Sequence, residues 1–227
     1  MTDLDILYED DDIMVCYKPA GVATQTKNPG MQDMESLLKN YRARKKEPPY
    51  IGIVHRLDQP VEGVMVFAKN QKAAAELSKQ VRDRAIGKYY YAVVKKTEGF
   101  VLAEQGILTD YVLSDERSNV SRIVAKDTPM AKKAQLEYQV IGQAEDVLCV
   151  EILLHTGRHH QIRVQFANAG APLLGDIKYG TKKNTHLALC SYRIEFRHPR
   201  TKESMKFKIM PKGLLFGRFL DNIGNMA

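Results

Sequence analysis

Asp58 closes the stretch His55-Arg56-Leu57-Asp58, with Pro60 two residues after it and an apolar run from Val64 to Ala68 beyond. In an extended segment alternate side chains share a face, so Arg56 and Asp58 point one way and Leu57 the other. Two chemistries fit this carboxylate. It can form a salt bridge at a strand end, or it can be the reactive group of an enzyme, held in place by the strand that follows.

Residues 155–170 (HTGRHHQIRVQFANAG) place Arg158, His159, His160 and Arg163 within six residues at a strand-to-helix junction. His160 and Arg163 are three apart, hence neighbours on a helix surface, and Ile162 and Phe166 are spaced to anchor its core face. Cations and backbone N–H groups near a helix start favour bound anions. Arg158 and His160 are therefore candidate substrate-binding residues for an anionic partner, the alternative being a solvated basic face. Two histidines with no third ligand at a workable spacing do not make a metal site.

Residues 87–94 (GKYYYAVV) alternate so that Lys88, Tyr90 and Ala92 share one face and Tyr89 and Tyr91 the other. Such tyrosines pack sheets, but one that faces a site can stack on a base or hydrogen-bond a reacting group. Residues 170–180 (GAPLLGDIKYG) carry Gly, Pro and Asp where tight turns need them. They read as a structural loop, with Lys178 and Tyr179 able to border an RNA surface.

The elements that must position these groups follow from pattern. DILY and IMVCYK, split by an acidic turn, predict a hairpin ended by Pro19-Ala20-Gly21. A helix is expected from Asp33, capped by Asp33 or Ser36, with Leu37, Leu38 and Tyr41 on one face and a basic tail (RARKK) before two prolines. GVMVFAKN reads as a buried strand, and Asn70 caps a helix to about Arg84 with Ala74, Leu77 and Val81 inward. KYYYAVVKK, AQLEYQVIG, VLCVEILLHT, HLALCSYRIEF and SMKFKIM predict further strands, with a polar turn over Gln143–Asp146. Residues 159–169 predict a helix ended by Gly170. Residues 100–126 predict short strands and loops, a place for an arm carrying Arg117 and Arg122. Clustered strands with few, separated helices favour an α+β fold with a largely antiparallel sheet.

The chain has 227 residues, enough for one domain with a core that needs no disulfide or metal. Its net charge of +7 points to an anionic partner, nucleic acid first. Cys16, Cys149 and Cys190 form no CxxC pair, which argues against structural zinc and for a reducing compartment. No apolar run reaches a membrane span, and the acidic N-terminus lacks a signal-peptide pattern, so a soluble cytoplasmic protein is expected.

Taken in order, these pieces resemble the pseudouridine synthases of the RluA type. The matching segments are HRLD at 55–58, KYYYAVV at 88–94, TGRHHQIRV at 156–164 and GAPLLGDIKYG at 170–180. The opening EDDDIMVCYKPAGVATQ is similar to that family's Lys-Pro-x-Gly motif. The resemblance spans roughly residues 6–211. It implies a single catalytic domain over 1–227: a mixed, mostly antiparallel sheet with flanking helices and loops around a central cleft. It also implies isomerisation of uridine to pseudouridine within RNA, without cofactor or metal; ribosomal RNA, transfer RNA or both stay open as targets, and a monomer is the default expectation. Asp58 matches the catalytic aspartate, which either attacks C1′ or takes a sugar proton. Tyr90 matches the active-site tyrosine, Arg163 the arginine that pairs with the aspartate, and Arg56 the arginine that fills the gap left by a flipped base.

Val61-Glu62-Gly63 stands where the family usually has Thr-[ST]-Gly, so bracing hydroxyls are missing; Glu62 is expected to face solvent, the alternative being that it holds Arg56 or a local basic residue. Gln165 replaces the usual histidine. Both departures bear on substrate preference more than on the chemistry. The chain is expected to begin at the catalytic domain and to choose its RNA with its own loops and basic faces, or through a partner. An inactive RNA-binding protein of the same fold is the main rival. A hydrolase or nuclease is disfavoured, because no metal cluster and no serine or cysteine nucleophile motif is present.

Overall fold

A computed structural model describes residues 4–28, 30–97, 102–115, 117–180 and 186–224. The chain forms two compact units, Met1–Gly87 with Ser191–Ile209, and Lys88–Cys190 with Met210–Ala227. Strands dominate both and helices are few, so the fold is α+β.

In the first unit β1 (Asp5–Glu9) and β2 (Ile13–Lys18) form the expected antiparallel hairpin. Asp10 sets its turn, one carboxylate oxygen accepting the Asp12 and Ile13 N–H groups at 2.8 Å. The helix α1 (Met34–Arg44) uses both predicted caps in a reciprocal box. The Asp33 carboxylate accepts Ser36 N–H at 2.7 Å, and the Ser36 hydroxyl oxygen accepts Asp33 N–H at 3.1 Å. Its basic tail is only partly a surface. Arg42 is buried, donating to the Tyr50 and Lys69 carbonyls and to Glu47.

β4 (Glu62–Ala68) runs antiparallel to β2 with Gly63 opposite Lys18, and the two-residue β3 (Gly52–Ile53) pairs with its far end. All seven β4 residues are buried, as the smooth apolar run predicts for a strand covered on both faces. Val64, Val66 and Ala68 pack with Ala73 and Leu77 of α2 (Gln71–Arg82). Asn70 caps α2, its side-chain oxygen accepting Ala73 N–H at 2.9 Å.

The second unit arranges β5 (Gly87–Lys95), β9 (Val147–Leu154), β8 (Lys132–Ala144), β6 (Gln105–Asp115) and β7 (Val120–Val124) in that spatial order, every neighbour antiparallel. The stretch 100–126 is therefore more regular than its sequence pattern: β6 alone runs for eleven residues. Residues 100, 101 and 116 of that stretch lie outside the described residues. The helix α3 (Gln161–Asn168) starts two residues later than its pattern suggests, because His160 takes a left-handed backbone conformation (φ 53°) that ends the incoming loop. Its core face rests on β8, with Phe166 edge-on to Tyr138 at 5.6 Å, and Val164 packed against Val112 and Ala134.

All three cysteines are buried thiols. Burial pushes Cys16 and Cys149 up to about 12. Among the described residues no helix is long and apolar enough to cross a membrane.

The last strand of the chain's first unit to be placed is β10 (Leu189–Arg197), whose Ser191–Arg197 part lies beside β4 and pairs onward with β11 (Ser204–Lys208). There Gly63 has φ +145°, and a Cβ on it would stand 2.5 Å from the Ser191 carbonyl oxygen and 2.6 Å from its nitrogen. Neither the conformation nor the space admits a side chain. Gly63→Ala is expected to cost at least ~2 kcal/mol. Urea unfolding measures it, and a variant as stable as the parent would refute the close approach.

Candidate functional site

Asp58 sits on a loop between β3 and β4. Around it Arg56 is exposed, Leu57 buried and Asp58 half-buried, the alternation expected of an extended segment. The loop turns at once, Val61 N–H donating to the Asp58 carbonyl at 3.0 Å. Its backbone is gripped on both sides of the carboxylate. Before it, the Thr24 hydroxyl donates to the Leu57 carbonyl at 3.0 Å and accepts Leu57 N–H at 3.2 Å. After it, Gly21 N–H donates to the Gln59 carbonyl at 2.9 Å, and the Gln59 amide returns a bond to the Gly21 carbonyl at 3.0 Å.

Lys18 ties the two loops together. Its ammonium is fully buried and donates to the carbonyls of Pro19 (3.0 Å), Val22 (2.6 Å) and Gln59 (3.2 Å). Three donors meet three acceptors, which is all an ammonium can offer. Burial pulls the Lys18 pKa down to about 8, while the charges of Asp58 and Glu62 act the other way. The Lys-Pro-x-Gly segment is thus the cradle of the Asp58 loop.

Glu62 does not face solvent, contrary to expectation. It is 4% exposed, and the Tyr17 hydroxyl donates to it at 2.5 Å. The reason is charge: a carboxylate at the start of β4 lies within the field of the buried Lys18, where it lowers the cost of that cation. Where the family has bracing hydroxyls, the loop here is held by Thr24 and Lys18, and Tyr17 holds Glu62.

In the second unit Tyr90 lies on β5 opposite Ile152 of β9, almost buried, with Tyr91 fully buried on the other strand face. Arg163 projects from α3 and is also buried. Its Nε and Nη2 donate to the two carboxylate oxygens of Asp176, both at 2.8 Å. This forked pair fixes the guanidinium plane, and with it the direction of Nη1. The Tyr179 ring lies 5.2 Å from the guanidinium carbon. Burial would raise the Asp176 pKa, but the Arg163 bonds and charge, with the Lys178 and Tyr179 N–H groups, hold it below the usual carboxylate range. Sequence reading missed Asp176. The available signal was a single carboxylate in a glycine-flanked turn otherwise lined by Leu174 and Ile177.

The remaining predicted site residues divide by exposure. Arg56 is exposed, and Arg158 is half-exposed with its Nε donating to the Lys133 carbonyl at 2.9 Å. His160 is buried; its Nδ1 is 2.7 Å from the Tyr179 hydroxyl and its ring stacks on His159 at 3.7 Å. That hydroxyl also accepts Ser121 N–H at 2.7 Å, so His160 and β7 together hold the residue that backs Arg163. Gln165 is fully buried between the Gln161 amide (2.9 Å) and Asp110 (2.7 Å), an internal strut from α3 to β6.

Asp10, Asp12 and His198 bring three possible metal-ligand atoms within 4.8 Å of one another. Their carboxylate oxygens already accept bonds from Tyr8, His198, Asn70, Arg200 and two backbone N–H groups. With an arginine in the group, this donor set suits a turn brace better than a cation.

The Arg163–Asp176 pair generates a stability prediction. Asp176→Ala leaves a buried guanidinium without its carboxylate and is expected to cost roughly 3–5 kcal/mol at pH 7. Because the folded-state pKa of Asp176 is depressed, its contribution is present above its unfolded value of about 4 and is lost as pH falls below that. The two proteins should therefore converge in urea midpoint towards pH 3. An equal gap at pH 7 and pH 3 would refute the linkage.

Residues 12–168 match the family model described as RNA pseudouridylate synthase. Among curated relatives, the RNA pseudouridine synthase YlyB of Bacillus subtilis is 34% identical over 216 residues, covering 91% of this chain and 68% of that protein. Ribosomal large subunit pseudouridine synthase D of Vibrio cholerae is 33% identical over 223 residues, covering 90% and 66%. The chain thus spans about two thirds of the length of these relatives. Among solved structures, human RNA pseudouridylate synthase domain containing 4 superposes with a TM-score of 0.75 over 97% of this chain and 93% of the other, at 21% identity, a likeness of fold. With the sequence motifs and the cradled aspartate, these matches show that the chain belongs to the RNA pseudouridine synthase family of isomerases.

Proposed function

We propose that this protein isomerises uridine to pseudouridine in structured RNA, ribosomal or transfer, with Asp58 as the catalytic carboxylate. The observation that carries this reading is the double grip on the Asp58 loop by Thr24, Gly21 and the buried Lys18. A carboxylate on a loop this firmly tied is presented in one direction, as breaking a glycosidic bond without hydrolysis requires. We further infer that the whole chain works as one catalytic domain, a cytoplasmic monomer needing neither metal nor cofactor. Ribosomal RNA is the first substrate to test, given the name of the Vibrio relative.

In this reading the target base leaves its helix, at a cost of a few kcal/mol. Stacking on Tyr90 returns roughly 1–3 kcal/mol, and Arg56, exposed beside the carboxylate, fills the gap. Arg163, its orientation fixed by Asp176, takes the role of the arginine that the family pairs with its aspartate. Asp58 then attacks C1′ or removes a sugar proton, the uracil turns, and C5 bonds to C1′. The bond count is unchanged: one C–N bond breaks, one C–C bond forms, and the proton displaced from C5 is returned at nitrogen.

Two experiments test this. Chemical mapping of RNA from cells lacking the gene should reveal at least one missing pseudouridine, restored by the parent protein but not by Asp58→Asn; restoration by Asp58→Asn would overturn the assignment. The second concerns pH. Lys18, with a pKa of about 8, loses its charge and one donor as pH rises, so activity should fall on an alkaline limb near pH 8. The Glu62 charge raises that pKa, so Glu62→Gln should move the limb to lower pH. Profiles of kcat/KM that coincide, or a limb that moves upward, would refute the role of Glu62.

A further inference from the structure

Lys88 is a partly desolvated cation that no carboxylate among the described residues answers. It is half-buried at the start of β5, and burial and the charge of Arg158 both push its pKa below the ordinary lysine value. No carboxylate offsets either influence, and among the described residues no group accepts a hydrogen bond from its ammonium. The other buried lysines are treated differently. Lys18 meets three carbonyls and the field of two carboxylates, and Lys69 meets Glu9 at 2.7 Å and Glu47 at 3.2 Å.

The surroundings of Lys88 are built for this arrangement. Its Nζ lies over Gly157, where an added Cβ would come within 3.2 Å. The next residue is Arg158, whose Nε is anchored to the Lys133 carbonyl at 2.9 Å and whose charge reaches Lys88. Two cations in the same neighbourhood, one of them desolvated, repel each other unless an anion answers both. The anion must be compact and offer two oxygens, one for the ammonium point charge and one edge for the guanidinium fork. Lys88 also shares a strand face with Tyr90, two residues along, a separation of about 7 Å.

We infer that Lys88 and Arg158 form the binding site for one phosphodiester of the substrate RNA, close to the base that Tyr90 receives. This inference rests on the proposed function. It adds a residue, Lys88, and a defined ligand group.

The test uses the full chain carrying Asp58→Asn, so that binding is read without turnover, and ribosomal RNA from cells lacking the gene as the probe. Affinity is measured across a salt series. Lys88→Gln and Arg158→Gln should each flatten the slope of log affinity against log salt, and removing the shared phosphate contact changes it by about 0.7–0.9. The double variant should flatten it no further than the stronger single one, since both residues serve one phosphate. Lys88→Arg, which keeps the charge, should retain the parent slope, and unchanged thermal midpoints exclude misfolding. Parent slopes in the Gln variants, or additive losses in the double variant, would overturn the shared site. Failure here with Asp58→Asn still inactive removes only the phosphate site; an active Asp58→Asn removes the proposed function itself.

Discussion

The Lys18 ammonium, sealed from water and bonded to the carbonyls of Pro19, Val22 and Gln59, is the constraint on which the placement of Asp58 rests. A buried cation tolerates no looseness, because each unmade bond leaves a carbonyl or a charge without compensation. The Pro19–Val22 turn and the Asp58 loop are therefore fixed to each other by the same group. Glu62 and Tyr17 extend the arrangement into β4 and β2, so that the sheet interior answers the charge the loops bring in.

The second unit solves a similar problem with the charges exchanged. There the long, mobile group is Arg163, and a short carboxylate, Asp176, immobilises it through two parallel bonds and two backbone N–H groups. Tyr179, held in turn by His160 and Ser121, closes the ring face. In both units buried polar partners fix a site candidate, the backbone on either side of Asp58 in one and the Arg163 guanidinium in the other. This is the arrangement expected where small errors of direction are costly.

Much of this was legible locally. The β1–β2 hairpin, the Asn70-capped α2, the tyrosine strand β5 and the β8–β9 hairpin announce themselves by alternation, caps and turn residues within a dozen positions. What was not legible is what depends on distant partners. β6 presents Ile107 to solvent at 58% exposure, which blurs its alternation, and its length is set by pairing with β8. The late start of α3 follows from a left-handed His160 whose ring is held by Tyr179. Glu62 turns inward because of Lys18, which lies far upstream, and Gln165 became a strut because Asp110 waits on another strand. Charges are the least readable residues in a sequence, since their side is chosen by their partners.

The three cysteines carry a practical consequence. Each thiol is buried, and Cys16 and Cys149 are pushed up to about 12, so thiolate is scarce in the folded protein at neutral pH. A single cysteine introduced on the exposed β6–β7 hairpin, at Ser118 for instance, would stand out as the site of fast alkylation. The native thiols give the fold a quiet chemical background against which a dye attached there could report the approach of RNA in real time.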